Sequence, residues 1–270
     1  MIHHPIHRPI HRVREALSAG RYAAGCYIQL NSPESVEIAG AAGLDYVIID
    51  CQHGAIDFES AVHMIRAAQA VGVTPLVRPV DHTPGFIMKV LDAGALGVVV
   101  PDIVHAAQAR AVVSAARYGV AGNGGTRGAC PSTRAAWHQT DDWPGFMQHA
   151  NDTVSVWLIL ESREAFANAD DILAVPGIDA VIPGTFDLSH EMQLFGQREH
   201  EAVTEACLSL THKAAALGIP AVRSIRARGG SDMAHERQVW EAHGARVFHI
   251  GGDRRLLRNA WRDRLAGLRG

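Results

Sequence analysis

One pattern recurs along the chain: a glycine closing a helical segment, a short run of β-branched residues, and a polar residue where the run ends. AGLDYVIID stops at Asp50, AGALGVVVPD at Asp102, PGIDAVIPGTFD at Asp187 and HGARVFHIGGD at Asp253. The shorter VGVTPLVRP and LGIPAVRS bring Arg78 and Arg223 to the equivalent point. Glycine just past a helix is the usual left-handed stop, and unbroken Val/Ile runs suit strands buried on both faces. Strands are expected near 24–30, 45–50, 74–78, 97–101, 154–161, 178–183, 219–224 and 246–250. Stretches of helical period lie between them, such as Phe58 to Ala70 and Ala106 to Arg117. Strand and helix alternating through 270 residues read as α/β, and eight such units read as a closed (β/α)8 TIM barrel. Residues 1–20 are expected to form an arm and leading helix, and 21–270 a single barrel domain. The longest irregular stretch, GVAGNGGTRGACPST over 119–133, carries five glycines and reads as a functional loop or lid.

A barrel of this kind places its active site at the C-terminal ends of the strands. The repeat therefore yields a rim: Asp50 with His53, Arg78, Asp102, Glu161, Asp187, Arg223 and Asp253. Asp102 and Asp253 are expected to be N-caps of the helices that follow. Glu161 differs, because it ends the apolar strand TVSVWLIL, where a carboxylate is costly unless paired or bound to a cation. Asp187 stands in PGTFDLS, where glycine admits close approach of a ligand. Two carboxylates from different strands, completed by water and substrate oxygens, suit Mg²⁺ or Mn²⁺. They would also suit a glycosidase, but only 6% of the chain is aromatic, too little for the usual sugar-binding cleft. His53, three residues after Asp50, is a candidate general base oriented by a carboxylate. Asp92, in KVLDAG, is either a second orienting carboxylate or a polar helix residue. Arg78 offers a fixed fork for a carboxylate or enolate oxygen.

Composition narrows the chemistry. The chain has only two lysines, Lys89 and Lys213, both within helical patterns. An imine-forming aldolase or a pyridoxal phosphate enzyme needs a lysine amine in its site, so a Schiff-base lysine is not expected and a metal must stabilise the carbanion. A net charge of −3 without blocks of like charge disfavours nucleic acid and membrane surfaces as partners. No apolar run reaches the ~20 residues of a membrane span, and the N-terminus lacks a signal-peptide pattern. Four scattered cysteines form neither a disulfide framework nor a thiolate zinc site, and the expected location is the cytoplasm. His3, His4, His7 and His11 crowd the first eleven residues, and Pro5 and Pro9 among them favour a surface arm.

The segments DYVIIDCQH, PLVRP, KVLDAGALGVVVP, ARYGVAG with TRG, ILESREAFANADDILAVPGIDAVIPGTFDLS and GGDRRLL together span about residues 25–260. They resemble the metal-dependent class II pyruvate aldolases of the HpcH/HpaI type. The resemblance implies a barrel of the phosphoenolpyruvate/pyruvate type whose last helix is exchanged between subunits. It also implies homo-oligomers, as hexamers, trimers or dimers. By position, Glu161 and Asp187 would bind Mg²⁺, Mn²⁺ or Co²⁺, and a 2-oxo acid would chelate that ion. Backbone amides around Gly184, Thr185 and Phe186 would hold the carboxylate, and Arg78 the enolate oxygen. His53, with Asp50 and Asp92 as orienting partners, would move the proton at the C4 hydroxyl. The implied reaction is reversible cleavage of a 4-hydroxy-2-oxo acid to pyruvate and an aldehyde. The same enolate site could serve oxo-acid decarboxylation or acyl-CoA lyase chemistry, although no basic cluster for a CoA nucleotide stands out. A catalytically silent small-acid-binding barrel is the reading from another class. The chain departs from the family at Ile159, Gln52, Thr185–Phe186, the glycine-rich loop and Arg223. Those departures lead to the expectation that Arg223 or the 122–134 loop selects an anionic or hydroxylated acceptor.

Overall fold

The eight apolar runs become eight parallel strands hydrogen-bonded in sequence order, with the last returning to the first to close the barrel. The computed structural model describes residues 9–120 and 122–270. The chain order is α1 (Arg12–Ser18), β1 (Ala23–Ile28), α2 (Pro33–Ala41), β2 (Tyr46–Asp50), α3 (Phe58–Ala70), β3 (Thr74–Arg78), α4 (Pro84–Asp92), β4 (Gly97–Val100), α5 (Ala106–Ala116) and α6 (Trp143–Thr153). It continues with β5 (Ser155–Leu160), α7 (Arg163–Ala167), α8 (Ala169–Leu173), β6 (Ala180–Pro183), α9 (Thr185–Glu191), α10 (Glu201–Ala216), β7 (Ala221–Ser224), α11 (Gly230–Ala242), β8 (Ala245–Gly252) and α12 (Asp253–Arg269). Every expected strand is present to within about three residues at each end.

Side chains alternate along each strand, and this period sorts the core into two layers. Tyr46, Ile48, Leu76, Val99, Trp157, Ile159, Ile182, Val222 and Val247 fill the barrel. Their neighbours in sequence, such as Val47, Val77, Val98 and Leu158, face the surrounding helices. The inward residue two positions further up a strand therefore reaches the C-terminal rim. β2 and β3 are paired so that Asp50 lies beside Arg78.

α1 closes the opposite end. Its N-cap, His11, is 6% exposed, and its Nε2 meets the Ser155 hydroxyl at 2.9 Å. His11 is thus a buried plug residue and not part of a surface arm; His3, His4 and His7 lie outside the described residues. Burial, and then the Arg14 charge, push the His11 imidazole down to about 3. Burial, and then Arg78, do the same to His249 inside the barrel, also to about 3. Both rings stay neutral in the folded chain and take up protons once it unfolds. The stability these two rings contribute is therefore full above pH 6.5, the ordinary imidazole value, and declines as the pH falls toward 3. Each histidine contributes roughly 1 kcal/mol per pH unit in that window. Urea unfolding at pH 7.5 and pH 5 should show His11→Gln shifted toward acid stability relative to the wild type; the same pH dependence in both proteins would rule out neutral burial of His11.

α12 stands where the eighth helix should cover the barrel wall, yet none of its residues is buried. Leu256, Leu257, Trp261, Leu265 and Leu268 recur at helical spacing and are exposed. Among the described residues no helix is long and apolar enough to cross a membrane.

Candidate active site

Strand parity delivers Asp50, Arg78 and Glu161 to one end of the barrel. Asp50 is fully buried. Its carboxylate accepts from Arg78 Nε at 2.8 Å and Nη2 at 2.5 Å, a bidentate pair. Gln29 Nε2 donates to the same group at 2.8 Å. Burial raises the Asp50 carboxyl, but Arg78, Gln29 and the His53 N–H outweigh it and hold the group below its ordinary value. The Arg78 guanidinium also stands 4.8 Å from the centre of the Tyr27 ring. Burial pushes Tyr27 up to about 12, so it remains a neutral platform.

Asp50 holds the next turn by its backbone. The N–H groups of Gln52 and His53 each donate to Oδ1 at 3.1 Å. The expectation that Asp50 orients the His53 imidazole is corrected accordingly: the carboxylate positions the peptide, and the ring itself is exposed. Asp92 is corrected as well. It ends α4 and pairs with Arg127 at 2.7 Å, so its carboxylate is engaged by the 118–135 segment and not by His53.

Glu161 follows β5 directly, and its neighbour across the rim is Gly184 at the end of β6. A Cβ on Gly184 would overlap the Glu161 side chain, so glycine is required for the carboxylate to lie there. Asp187 enters from the first turn of α9 and lies against Glu161. Asp102 holds a left-handed backbone, φ 57°, that aims its N–H at Glu161 Oε1, 3.0 Å away. Asp102 is therefore not the expected cap; His105 caps α5. Burial raises the Glu161 carboxyl to about 7; the Asp102 N–H opposes this, and the Asp187 and Asp102 carboxylates push it further up. Asp253, also expected to be a cap, accepts the N–H groups of Gln29 at 2.9 Å and Leu30 at 3.1 Å, tying the end of β1 to the start of α12.

Among the described residues, Glu161 and Asp187 form no ion pair, and Arg78 is already engaged by Asp50. The pocket therefore carries an uncompensated acidic charge on hard oxygen donors, which fits a divalent cation. No group of three or more His, Cys, Asp or Glu side chains is arranged for a metal among the described residues. A cation would have two protein carboxylates and complete its shell with water or substrate oxygens, as Mg²⁺ does.

Two expected acceptor contacts lie elsewhere. Val222 points into the barrel, so Arg223 points out, and only 3% of it is exposed. Its guanidinium stacks 3.6 Å from the centre of the Trp240 ring, and burial lowers its affinity for a proton. Ser224, one residue on, is the exposed rim position of β7. The 119–133 loop packs at the opposite end of the barrel, where α3, α4 and α5 end. Thr126 N–H donates to Ser114 O at 2.8 Å, Arg127 pairs with Asp92, and Arg134 donates to Ala93 O at 3.0 Å. It is not a lid over this chain's own site. The residues missed in the sequence were Tyr27 and Gln29; both end the apolar run of β1, and alternation alone would have pointed Tyr27 inward.

The family model described as HpcH/HpaI aldolase/citrate lyase matches residues 23–260. The chain belongs to that family. It is 36% identical over 196 residues to a 2-dehydro-3,6-dideoxy-6-sulfogluconate aldolase from Pseudomonas putida, covering 73% of this chain and 75% of that one. It is 31% identical to a 2-keto-3-deoxy-L-rhamnonate aldolase from Escherichia coli, over 94% of this chain and 91% of the relative. A solved citrate synthase shares the barrel with a TM-score of 0.83 at 28% identity, covering 95% of this chain and 97% of that one. Membership in the HpcH/HpaI family makes the chain an enzyme of a lyase family built on a (β/α)8 barrel, and the relatives it matches include aldolases.

Proposed function

We propose that this HpcH/HpaI barrel is a divalent-metal-dependent aldolase that reversibly cleaves a 4-hydroxy-2-oxo acid to pyruvate and an aldehyde. The observation that carries the reading is the half-buried Glu161 carboxylate, set beside Asp187 with no ion-pair partner among the described residues and within electrostatic reach of Arg78. A Mg²⁺, Mn²⁺ or Co²⁺ ion bound there supplies Lewis-acid charge, which favours an enolate over the ground-state oxo acid. Asp50 fixes Arg78 through Nε and Nη2, leaving Nη1 to donate to the oxygen on which negative charge develops. The Thr185 and Phe186 amides, in the first turn of α9, hold the substrate carboxylate. His53 takes the proton from the C4 hydroxyl as the C3–C4 bond breaks, and the bonding pair passes into the enolate. Protonation at C3 then gives pyruvate. The likeness to a citrate synthase supports a second reading, in which the same enolate chemistry serves a condensation without an aldehyde.

A screen of aldehydes with pyruvate and each of the three ions separates the two. The first reading expects condensation that stops with chelator and returns when metal is restored. Turnover of oxaloacetate, with no aldehyde consumed, would favour the second. We also propose that a second copy of the chain covers the apolar face of α12. Trp261→Asp with Leu265→Asp should then shift the protein to a smaller species in size-exclusion chromatography with light scattering. An unchanged mass would reject α12 as the interface.

A further inference from the structure

Alternation along β1 turns Ala23, Gly25 and Tyr27 toward the barrel interior. Gly25 leaves the space that Tyr46 fills, since a Cβ there would lie 2.6 Å from the Tyr46 ring. Tyr46 gives its one O–H to the Phe248 carbonyl at 2.9 Å, so its oxygen accepts from His249 Nδ1, also 2.9 Å away. His249 Nε2 is then left buried, with no partner among the described residues. An aliphatic side chain would fill the same space without that cost. What the imidazole provides is a flat ring held in one orientation, 4.8 Å from the centre of the Tyr27 ring.

Tyr27 thus has a fixed ring beside it, and the Arg78 guanidinium stands at the same 4.8 Å from its centre. It packs on the sealed interior cluster yet is itself only half-buried, so its exposed part opens to the C-terminal mouth of the barrel. Its phenol O–H has no hydrogen-bond partner among the described residues. After burial, the groups that act on that phenol are Arg78, then Asp50 and Glu161, which are the charges of the candidate site. Burial raises the phenol to about 12, so it keeps its proton and stays a donor at neutral pH. An unpaired neutral donor in an acidic pocket suits a developing oxyanion. It brings no charge to compete with a cation, and its hydrogen bond strengthens as negative charge grows on the acceptor. A structural role has nothing to serve, because the O–H ties to no other part of the described chain.

We propose that Tyr27 is a catalytic residue whose O–H joins Arg78 Nη1 in donating to the oxygen on which the enolate charge develops, and that His249 positions its ring. The assignment rests on the enolate chemistry proposed above, and its test tells the two failures apart. Tyr27→Phe keeps the ring and its neighbours and removes only the O–H. Deuterium exchange into the pyruvate methyl group is followed with Mn²⁺ in both proteins. The variant's kcat should fall by at least about tenfold, less than for a lone oxyanion donor because Arg78 and the cation share the charge. KM for pyruvate should change by less than about twofold, since the bond strengthens only as the charge develops.

Oxalate, a planar mimic of the enolate, gives a readout without turnover. Its affinity in the presence of Mn²⁺, taken from the rise in Tm, should be at least about tenfold weaker in Tyr27→Phe, as for a lost hydrogen bond to a charged group. Unchanged kcat, a higher KM with kcat retained, or equal oxalate affinity overturns the role of Tyr27. His249→Leu should lower kcat with KM retained, and should add little to the loss in a Tyr27→Phe background. Equal losses in both backgrounds overturn the positioning role of His249. A wild type that exchanges no deuterium with Mg²⁺, Mn²⁺ or Co²⁺ overturns the enolate reading itself, and the role of Tyr27 with it.

Discussion

Glu161→Gln should lower kcat/KM for aldol cleavage by at least about a thousandfold while raising Tm in the presence of chelator. The two effects share a cause. Glu161 is a half-buried acid beside Asp187 and Asp102, and burial and those charges already push its carboxyl up to about 7. Replacing it with the isosteric amide removes that desolvation and repulsion while leaving the Gly184 contact in place. The amide also removes one of two protein ligands for the cation. Loss of a single oxyanion-stabilising group costs about 10²–10³ in rate, and losing a ligand weakens the Lewis acid as a whole. Added Mn²⁺ should stabilise the wild type by mass action and leave the variant's Tm unchanged. Full activity in Glu161→Gln, or equal stabilisation of both proteins by Mn²⁺, would remove Glu161 from the metal site.

Arg78→Gln should cost both stability and rate, and the two losses can be separated. The guanidinium and Asp50 are a buried bidentate pair, with side chains 11% and 0% exposed. Removing one member of such a pair leaves an uncompensated buried charge, a loss of about 3–5 kcal/mol. Removing the other charge as well should return much of that stability, because a neutral pair carries no desolvation cost. The double variant Asp50→Asn/Arg78→Gln should therefore unfold later than Arg78→Gln alone. Its activity should stay about 10²–10³-fold down, since the donor to the developing oxyanion is gone. If activity returned together with stability, Arg78 would be a structural residue only.

Most of the architecture was legible because one physical signal repeats. Most strands are short apolar runs rich in Val and Ile and closed by a polar residue, and that pattern has few solutions other than a parallel sheet covered by helices. The same signal located Asp50, Arg78, Glu161 and Asp187. It failed at Arg223 because β7 is only four residues long. On so short a strand, the last charged residue and the inward-facing residue differ by one position, and one position reverses the face. The glycine-rich loop was assigned to the site by its length, but its position followed from chain direction. α5 runs back from the rim, so the segment after it begins at the far end of the barrel. Asp92 was left open, and Asp102 was read as a cap, for a different reason. What each does depends on a partner distant in sequence or on a left-handed backbone, and neither leaves a periodic trace.

The central claim is that this barrel makes an enolate from a 2-oxo acid at a cation held by Glu161 and Asp187. The most direct test is proton NMR of pyruvate in deuterated buffer with the protein alone, since methyl exchange needs no aldehyde. The account predicts deuterium incorporation with Mg²⁺, Mn²⁺ or Co²⁺, none with chelator, and none with Glu161→Gln or Asp187→Asn. Exchange that continues in chelator, or in either variant, would contradict it.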